Sequence, residues 1–418
     1  MKRISLFLLL FLLLKATVMY SQDGHPETNF RIVPVSPNAA SLGTYGLIPT
    51  DNYVGQARIS IPIYEIDLDG KKFPIALSYH TDGTRVAQEA TWIGLGWTLQ
   101  AGGCVVRQVQ GTDDFAARGC YNLTDAPWLT NPRFEVTDQN LEKYMGYFKG
   151  DYDAEPDMFY FNAGGHSGSM YFDVLKNNRQ LNAVPTIQTQ EKVVKMVYNT
   201  SNKTWTMTDL EGYVYSFSTK EITYYFLNTI DFFQTDITRS HIFPYYNEPQ
   251  IVTAWMLDSV TSPNGGKITF SYKKESIFTP ISTTEDVISL SKIVNGQLSS
   301  QSPQYFTNKF NYNYSYSKIE QWTLSAITFE GGKVEFGTTD REDIESAETG
   351  KKVQKLSSIK VSDTAGNLIK TTMLEYKYLL SGMAATTNGY DDRLLLSKVY
   401  DVAGSKKNNV YTLSLIHI

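Results

Sequence analysis

The sequence is poor in the residues that cross-link a fold or bind a metal. Its 418 residues include two cysteines and five histidines. Two cysteines cannot supply a disulfide framework, so the fold must depend on packing and on hydrogen bonding between strands. The histidines do not form a metal-binding pair such as H-E-x-x-H. They are scattered, at positions His25, His80, His166, His241 and His417.

Positive charge is also scarce. Lys and Arg number 38 against 43 Asp and Glu, a formal net charge of −5, which excludes a basic nucleic-acid-binding protein. Apolar residues, in contrast, make up 42% of the chain and aromatic residues 13%, with 28 tyrosines. This composition excludes a disordered chain and supports large cores. The length is typical of roughly two to three domains.

Long apolar runs are absent except at the N-terminus. A basic start, Met1 to Arg3, precedes the apolar run Ile4 to Leu14, and Lys15 ends it. The run is about half the ~20 residues that a membrane-spanning helix needs. Residues 1–21 are therefore predicted to be a secretory signal peptide, with a short membrane anchor as the alternative. We expect an exported protein, extracellular or on the cell surface, with no stable membrane span after cleavage.

Alternation with a period of two marks most of the remaining chain. Residues 22–50 lack periodicity and are predicted to be an extended lead-in. Apolar residues then alternate over 57–63 and 73–79, with Asp69-Gly70 between them, which predicts a hairpin over residues 51–80. We predict an all-β fold of antiparallel sheets with few short helices. The predicted parts are an N-terminal β-domain over 22–130, a β-rich middle region over 131–250 and tandem units over 251–412.

The tandem units share one pattern. Each consists of Leu-x-x-Ile or Leu-x-x-Val, a glycine-containing turn and an alternating strand. One such unit cannot bury its own apolar face, so the units are predicted to pair side by side into one continuous antiparallel sheet. The alternative is a set of unrelated hairpins. The four units begin at Leu257, Leu324, Leu356 and Leu396.

Several segments resemble a known family. The most specific is Trp92 to Leu99, in which Trp92, Gly94, Gly96 and Trp97 form a Trp-x-Gly-x-Gly-Trp motif that continues to Arg107. With it the chain resembles the N-terminal region of secreted rearrangement-hotspot (RHS or YD) repeat proteins, which are related to the virulence-plasmid and toxin-complex B shell proteins. The resemblance extends in patches over about residues 30–410. Its other segments are Ser36–Gly43, Ile59–Tyr64, Pro74–His80, Glu155–Phe161, Gly212–Phe217, Trp255–Leu257 and Ser262–Gly265.

The resemblance implies a structural rather than an enzymatic protein. Tandem repeats in such proteins wind into a hollow β-rich shell that holds a variable C-terminal cargo, often a toxin. The implied partners are the chain's own further repeats and cargo, absent here, and an export apparatus or a target-cell surface. The departures are the lack of a recognisable cargo and of a long run of Tyr-Asp repeats. A secreted adhesin or glycan-binding β-protein is the first alternative, and a polysaccharide-degrading enzyme the second.

The last six residues of the sequence are predicted to be foreign to the protein. Residues 413–418, Leu413 to Ile418, match a translation of the transposase-end adapter used in sequencing libraries. We therefore expect these residues to be an artefact and the chain to be a fragment of a longer reading frame. A native C-terminal strand is the alternative.

No catalytic, cofactor-binding or metal-ligating residue is assigned from the sequence. Asp151, Asp153, Glu155 and Asp157 alternate like the start of a calcium loop, but Pro156 stands where that loop needs glycine, so a solvated acidic turn is favoured. The motif glycines lack the third glycine of a dinucleotide fingerprint. They are predicted to let Trp92 and Trp97 pack closely on a neighbouring strand. In an exported chain, Cys104 and Cys120 could form one disulfide.

Overall fold

The computed structural model describes most of the chain between residues 33 and 413. The predicted signal peptide lies outside the described residues, as does the predicted adapter-derived end apart from Leu413. The described residues are 33–47, 59–79, 88–111, 113–116, 119–122, 137, 141, 145–146, 153, 155–173, 182–188, 194–230, 243–244, 250–290, 293–294, 297–298, 307–379, 392–403 and 406–413.

The described part consists mainly of β-strands, with an α-helix, α1 (Pro37–Leu47), a 3-10 turn, Cys120–Asn122, and helical residues at 141 and 145–146. This confirms the predicted fold class. Among the described residues, no helix has the length and hydropathy needed to cross a membrane. The strands are β1 (Ile59–Leu68), β2 (Lys71–Tyr79), β3 (Trp97–Gln100), β4 (Gly103–Gln108), β5 (Met158–Ala163), β6 (His166–Tyr171), β7 (Asn182–Ala183), β8 (Thr186–Ile187), β9 (Val194–Asn199), β10 (Thr204–Asp209), β11 (Val214–Ile230), β12 (Phe243–Pro244), β13 (Ile251–Thr261), β14 (Lys267–Phe278), β15 (Ser282–Leu290), β16 (Ile293–Val294), β17 (Gln297–Leu298), β18 (Thr307–Phe329), β19 (Gly332–Asp340), β20 (Gln354–Ser362), β21 (Leu368–Leu379), β22 (Arg393–Ala403) and β23 (Lys406–Thr412).

The chain divides into two compact units. The larger comprises 33–108, 158–172 and 178–418, and it holds α1 and every strand. The smaller comprises 1–32, 109–157 and 173–177, and its described part includes the 3-10 turn at Cys120.

The predicted N-terminal hairpin is confirmed for residues 59–79, and residues 51–58 and 80 of that prediction lie outside the described residues. β1 pairs antiparallel with β2 from Ile59↔Tyr79 to Leu68↔Lys71. Asp69 and Gly70 close it with φ angles of 51° and 90°, the left-handed pair that a two-residue hairpin turn requires. β3 then pairs with β2 to complete a three-stranded sheet.

The four tandem units form hairpins in chain order. They are β13–β14, β18–β19, β20–β21 and β22–β23. Successive units also pair with each other, through β14–β18, β19–β20 and β21–β22, always antiparallel. The prediction of one continuous antiparallel sheet over these units is therefore confirmed.

Four strands of this sheet close a circuit. β11 pairs with β13 over Val214–Thr223 and with β18 over Ile222–Ile230. β14 pairs with both β13 and β18. The middle of the chain joins the same sheet, because β4 pairs with β13 and with β5, and β9–β10 leads into β11.

An aromatic core lies beside this junction of the middle strands. Trp205 on β10 and Trp255 on β13 are both about 1% exposed or less, with ring centroids 6.1 Å apart. Phe159 on β5 contacts both rings, at 5.3 and 6.1 Å. Rings of this size contribute strongly to core energetics, so aromatic packing adds to the backbone pairing that joins the middle strands to the tandem sheet.

The predicted extended lead-in over residues 22–50 is wrong for residues 37–47, which form α1. Ser36 is its N-cap, since the Ala39 backbone N–H donates to Ser36 Oγ at 3.1 Å. Pro37 follows at the first helical position, where the missing N–H costs nothing. This Ser-Pro pair was the sequence signal for a helix start.

Candidate functional site

The Trp-x-Gly-x-Gly-Trp motif forms a compact loop around Thr91. The Thr91 hydroxyl donates to the carbonyls of Gly94 and Trp97, at 3.1 and 2.6 Å. The Gly94 N–H donates back to the Thr91 carbonyl at 3.0 Å, and the Trp97 N–H to the Gly94 carbonyl at 3.1 Å. Gly94 and Gly96 have φ angles of 116° and 74°, a region that side-chain-bearing residues rarely adopt. The two glycines therefore permit both turns of the loop.

This loop lies against the tandem sheet. The Leu95 N–H donates to the Leu394 carbonyl on β22 at 2.8 Å, and the Leu356 N–H on β20 donates to the Trp92 carbonyl at 3.0 Å. A Cβ atom on Gly94 would lie 2.9 Å from the Leu396 backbone nitrogen. Only glycine allows this approach, so the motif is fitted to the third and fourth tandem units.

Both motif tryptophans are buried. Trp92 is 6% exposed and Trp97 is 5% exposed. The Trp92 ring contacts Phe336 on β19 at 6.5 Å, and the Trp97 ring contacts Tyr79 on β2 at 5.2 Å. One ring thus packs on the tandem sheet and the other on the N-terminal hairpin sheet.

A buried ion pair holds the loop from the other side. The side chains of Arg341 and Asp343 are 2% and 1% exposed, and they are joined by hydrogen bonds of 2.8 and 2.7 Å. The remaining guanidinium donors bind the carbonyls of Thr91, at 3.0 Å, and Ala90, at 3.2 Å. Asp343 also accepts the Leu394 N–H at 3.0 Å. We call these two residues and the loop 90–97 the motif junction.

Sequence reasoning missed Arg341 and Asp343. They stand about 250 residues from Thr91, in the connection between β19 and β20, and no local pattern distinguishes them from exposed charges. Their role depends on where the tandem sheet brings the loop.

Helix α1 is bound to the same region through an amide. Asn38 Oδ1 accepts the Trp92 N–H at 2.9 Å, and its Nδ2 donates to Gln321 Oε1 on β18 at 3.3 Å. Gln321 Nε2 in turn donates to Glu275 Oε2 on β14 at 3.3 Å. Burial raises the pKa of Glu275 to about 7, because the hydrogen bond from Gln321 only partly offsets desolvation. A hydrogen-bonded chain therefore connects a carboxyl group that titrates near neutral pH with the motif junction.

A second carboxyl group anchors the start of α1. Glu221 on β11 is fully buried, and its Oε1 accepts the Ser36 N–H at 2.8 Å and the Thr253 hydroxyl at 3.1 Å. Burial raises its pKa, so the neutral acid is the form that the core favours. It fixes the N-cap of the helix to β11 and β13.

The acidic run Asp151–Asp157 differs from the predicted solvated turn. Asp151 lies outside the described residues and Glu155 is exposed, but Asp153 and Asp157 are buried, so the prediction is wrong for these two. Asp157 accepts the N–H groups of Gln110, at 2.7 Å, and Asp114, at 3.1 Å. Its carboxylate satisfies backbone donors of its own unit, which is why burial is tolerated. Within the part of the chain that the structure describes, no group of three His, Cys, Asp or Glu residues could hold a metal.

The two cysteines are not bonded to each other. Cys104 lies on β4 and Cys120 in the 3-10 turn, and both are free and buried. Cys104 packs against Ala39 of α1 with Ala254 and Met256 of β13. Burial raises the pKa of both thiols, which keeps them protonated and unreactive. In this structure they act as small apolar residues rather than as a disulfide.

Comparisons with known proteins add structural likenesses at low identity. No protein-family model matches the chain, and no curated protein matches it. The TcdB2-TccC3 crystal structure aligns with 92% of this chain at 10% identity and a TM-score of 0.37. The N-terminal domain of effector protein SpvB from Salmonella typhimurium strain LT2 aligns with 82%, at 11% identity and a TM-score of 0.36. The Photorhabdus luminescens Tc holotoxin pore aligns with 86%, at 10% and 0.38.

The alignments differ in how much of the other chain they include. This chain spans 16% of the TcdB2-TccC3 chain and 15% of the holotoxin chain, but 98% of the SpvB domain.

Proposed function

We propose that this chain is the N-terminal wall of an exported shell protein of the RHS type, whose further repeats and C-terminal cargo lie beyond it. The role is structural. The chain supplies a wall of paired strands and a fixed beginning for it, and the chemistry belongs to the cargo.

The pairing of the tandem units in chain order carries this proposal. Each unit from β13 to β23 adds a hairpin to the growing edge of one antiparallel sheet. Further units can be added to this sheet in the same way, because every unit pairs with its neighbours and buries its apolar face. A wall that can be lengthened by repeats is what an encapsulating protein requires.

The motif junction supports the proposal through its position. It attaches α1 and the N-terminal hairpin to the second, third and fourth units by backbone hydrogen bonds, a buried ring contact and the Arg341–Asp343 pair. The first part of the chain therefore closes on its later part. In the proposed function, the junction fixes the curvature at which further repeats begin.

We also propose that the chain is exported and has no enzymatic activity of its own. The signal-peptide pattern of residues 1–21 supports export to the cell exterior. An adhesin or glycan-binding protein would need aromatic rings on its surface, and no described feature favours these alternatives over the shell. Several tyrosines are buried, namely Tyr198, Tyr213, Tyr215, Tyr314, Tyr316 and Tyr400.

The test begins with the complete gene. Sequencing beyond codon 412 is expected to show further strand-turn-strand units followed by a divergent domain. In the expressed full chain, that domain should resist a protease that cleaves it readily when produced alone. Asp343→Ala, which weakens the motif junction, should expose it. A reading frame that stops directly after residue 412, or a cargo cleaved equally fast in both settings, would contradict the proposal.

A further inference from the structure

A second cluster of titratable side chains lies where the N-terminal hairpin meets the middle strands. Lys71, at the start of β2, reaches Asp209, at the end of β10, with Nζ 2.6 Å from Oδ2. The side chains of Lys71 and Asp209 are 15% and 1% exposed. Glu211 Oε2 lies 3.0 Å from the same Nζ, so one ammonium group touches two carboxylates.

The two oxygens of Asp209 have different surroundings. Oδ1 accepts two backbone N–H groups, from Glu211 at 3.0 Å and from Tyr213 at 2.9 Å. Two converging N–H donors of this kind stabilise negative charge that develops on a carbonyl oxygen.

Oδ2 faces proton donors instead. The Tyr215 hydroxyl donates to it at 3.1 Å, and His166 Nε2 lies 3.7 Å away. Gly164 leaves room for this arrangement, since a Cβ atom there would lie 2.2 Å from the Tyr215 hydroxyl oxygen. Burial raises the pKa of Tyr215, which keeps its proton in place.

Aromatic rings surround the lysine. Nζ lies 4.8 Å from the centre of the Tyr213 ring and 5.9 Å from that of Tyr215, and Phe73 contacts both rings at about 6.5 Å. The amine and the carboxyl group therefore meet with little exposure of either side chain, while Glu211 is 66% exposed and approaches the amine from the solvent side.

We propose that Lys71 and Asp209 condense with each other in the folded protein, forming an intramolecular amide cross-link between β2 and β10. The chain would thereby supply covalently what its cysteines do not. The bond joins two strands that stand 138 residues apart in sequence.

The reaction needs no other reagent. Glu211 takes a proton from the Lys71 ammonium group, and the freed amine attacks Cγ of Asp209. Charge builds on Oδ1 between the two N–H donors. The Cγ–Oδ2 bond then breaks, and Oδ2 leaves as water with the two protons that Nζ gives up, delivered through Glu211 and Tyr215. One ammonium and one carboxylate become one amide and one water, so atoms and charge balance.

The resting charges of Lys71 and Asp209 oppose the first proton transfer. Burial works to lower the pKa of Lys71, but its hydrogen bonds to Asp209 and Glu211 outweigh burial and raise it. Burial likewise works to raise the pKa of Asp209, and the Lys71 and Tyr213 hydrogen bonds lower it. The pair rests as ions, so proton transfer to Glu211 limits the rate.

The chain contains a matched pair without this environment. Lys370 Nζ lies 3.2 Å from Asp401 Oδ2, and the partners of Asp401 are the side chains of Thr372 and Asn409. No pair of backbone N–H groups binds its carboxylate, and no second carboxylate contacts Lys370 among the described residues. This pair should stay an ordinary ion pair.

Peptide mapping of the full chain tests the proposal. Tryptic digestion of the wild-type protein should yield one branched peptide joining Lys71 to Asp209, lighter than its two parts by one water. Lys370 and Asp401 should appear in separate peptides. Lys71→Arg keeps the charge but should abolish the branch. Glu211→Gln should slow its appearance after cell-free synthesis by about 100-fold.

Three results would contradict the proposed cross-link or its mechanism. Full-mass, unlinked Lys71 and Asp209 peptides from the aged wild-type protein would overturn the cross-link. A branch at the Lys370–Asp401 pair as well would overturn the role of the local environment. Formation at the wild-type rate in Glu211→Gln would overturn the mechanism.

Discussion

The tandem region and the N-terminal region are both built from strands, but they are assembled differently. In residues 251–412, the two strands of each unit pair with each other, and each unit pairs with the next unit. In residues 33–108, β4 pairs with β13, and the loop 90–97 is bound by β20 and β22. The tandem units are joined to one another in chain order, whereas the loop 90–97 is bound by residues up to about 300 positions away.

This difference predicts how damage spreads. A change within a tandem hairpin weakens one unit and its two neighbours, as in other repeat sheets. A change at the motif junction weakens the binding of the loop 90–97 to the third and fourth units, while α1 keeps its contacts with β11 and β13 and the hairpin keeps its contact with β10. The loop 90–97 should therefore be less stable than the tandem region when the junction is weakened.

The largest effect is expected from Asp343→Ala. It leaves the buried Arg341 guanidinium without its carboxylate, and breaking a buried pair in this way costs about 3–5 kcal/mol. Denaturant unfolding monitored by tryptophan fluorescence measures the loss. The double variant Arg341→Met/Asp343→Leu, which buries no charge, should lose less than the single variant. A loss under about 1 kcal/mol in Asp343→Ala would show that the pair does not hold the junction.

Gly94→Ala should have the next largest effect. It combines a backbone conformation unsuited to alanine with a Cβ atom 2.9 Å from Leu396 N, for a cost of about 1–3 kcal/mol. Gly366→Ala is the matched control, because Gly366 also has a positive φ, 83°, but has open space around it. Equal losses of unfolding free energy in the two variants would mean that close approach to β22 contributes nothing.

The hydrogen-bonded chain from Glu275 to Trp92 predicts a pH dependence. The folded-state pKa, about 7, lies above the ordinary value of 4.5, so the folded state binds the proton more tightly. The stability that Glu275 contributes is then fully present below about pH 4.5 and is lost as the pH rises through about 7. We expect about 1–2 kcal/mol, since one pKa unit corresponds to about 1.4 kcal/mol and Glu275 is not fully enclosed. Glu275→Gln should remove this contribution and so reduce the slope of stability with pH between about 4.5 and 7, and an unchanged slope would contradict the assignment.

The smallest effect is expected at the helix cap. Ser36→Ala removes the side-chain acceptor of the Ala39 N–H, for a loss of about 1 kcal/mol. Ser41→Ala, within the same helix, should change stability by less than about 0.5 kcal/mol. If the two variants were equally stable, Ser36 would not be the N-cap of α1.

The sequence predicts the structure well where contacts are local and poorly where they are distant. The hairpin at Asp69-Gly70 and the tandem units were predictable, because alternation and turn residues act over short distances. The two motif tryptophans and glycines were identified by residue type, but their partners on β20 and β22 were not, since no local pattern encodes a contact that distant. The helix at 37–47 was missed although Ser36-Pro37 signals one, and the buried Arg341, Asp343 and Glu221 look like exposed charges in sequence.

Amide hydrogen exchange shows whether the N-terminal motif is bound to the tandem sheet. The Leu95 and Leu356 N–H groups donate across the junction, so they should exchange within about tenfold of interior sheet amides such as that of Ile359, because all open in one cooperative unit. If the Leu95 amide exchanged at the rate of an exposed loop while the Ile359 amide stayed protected, the motif would not be bound to the sheet, which would contradict the contacts described for the motif junction.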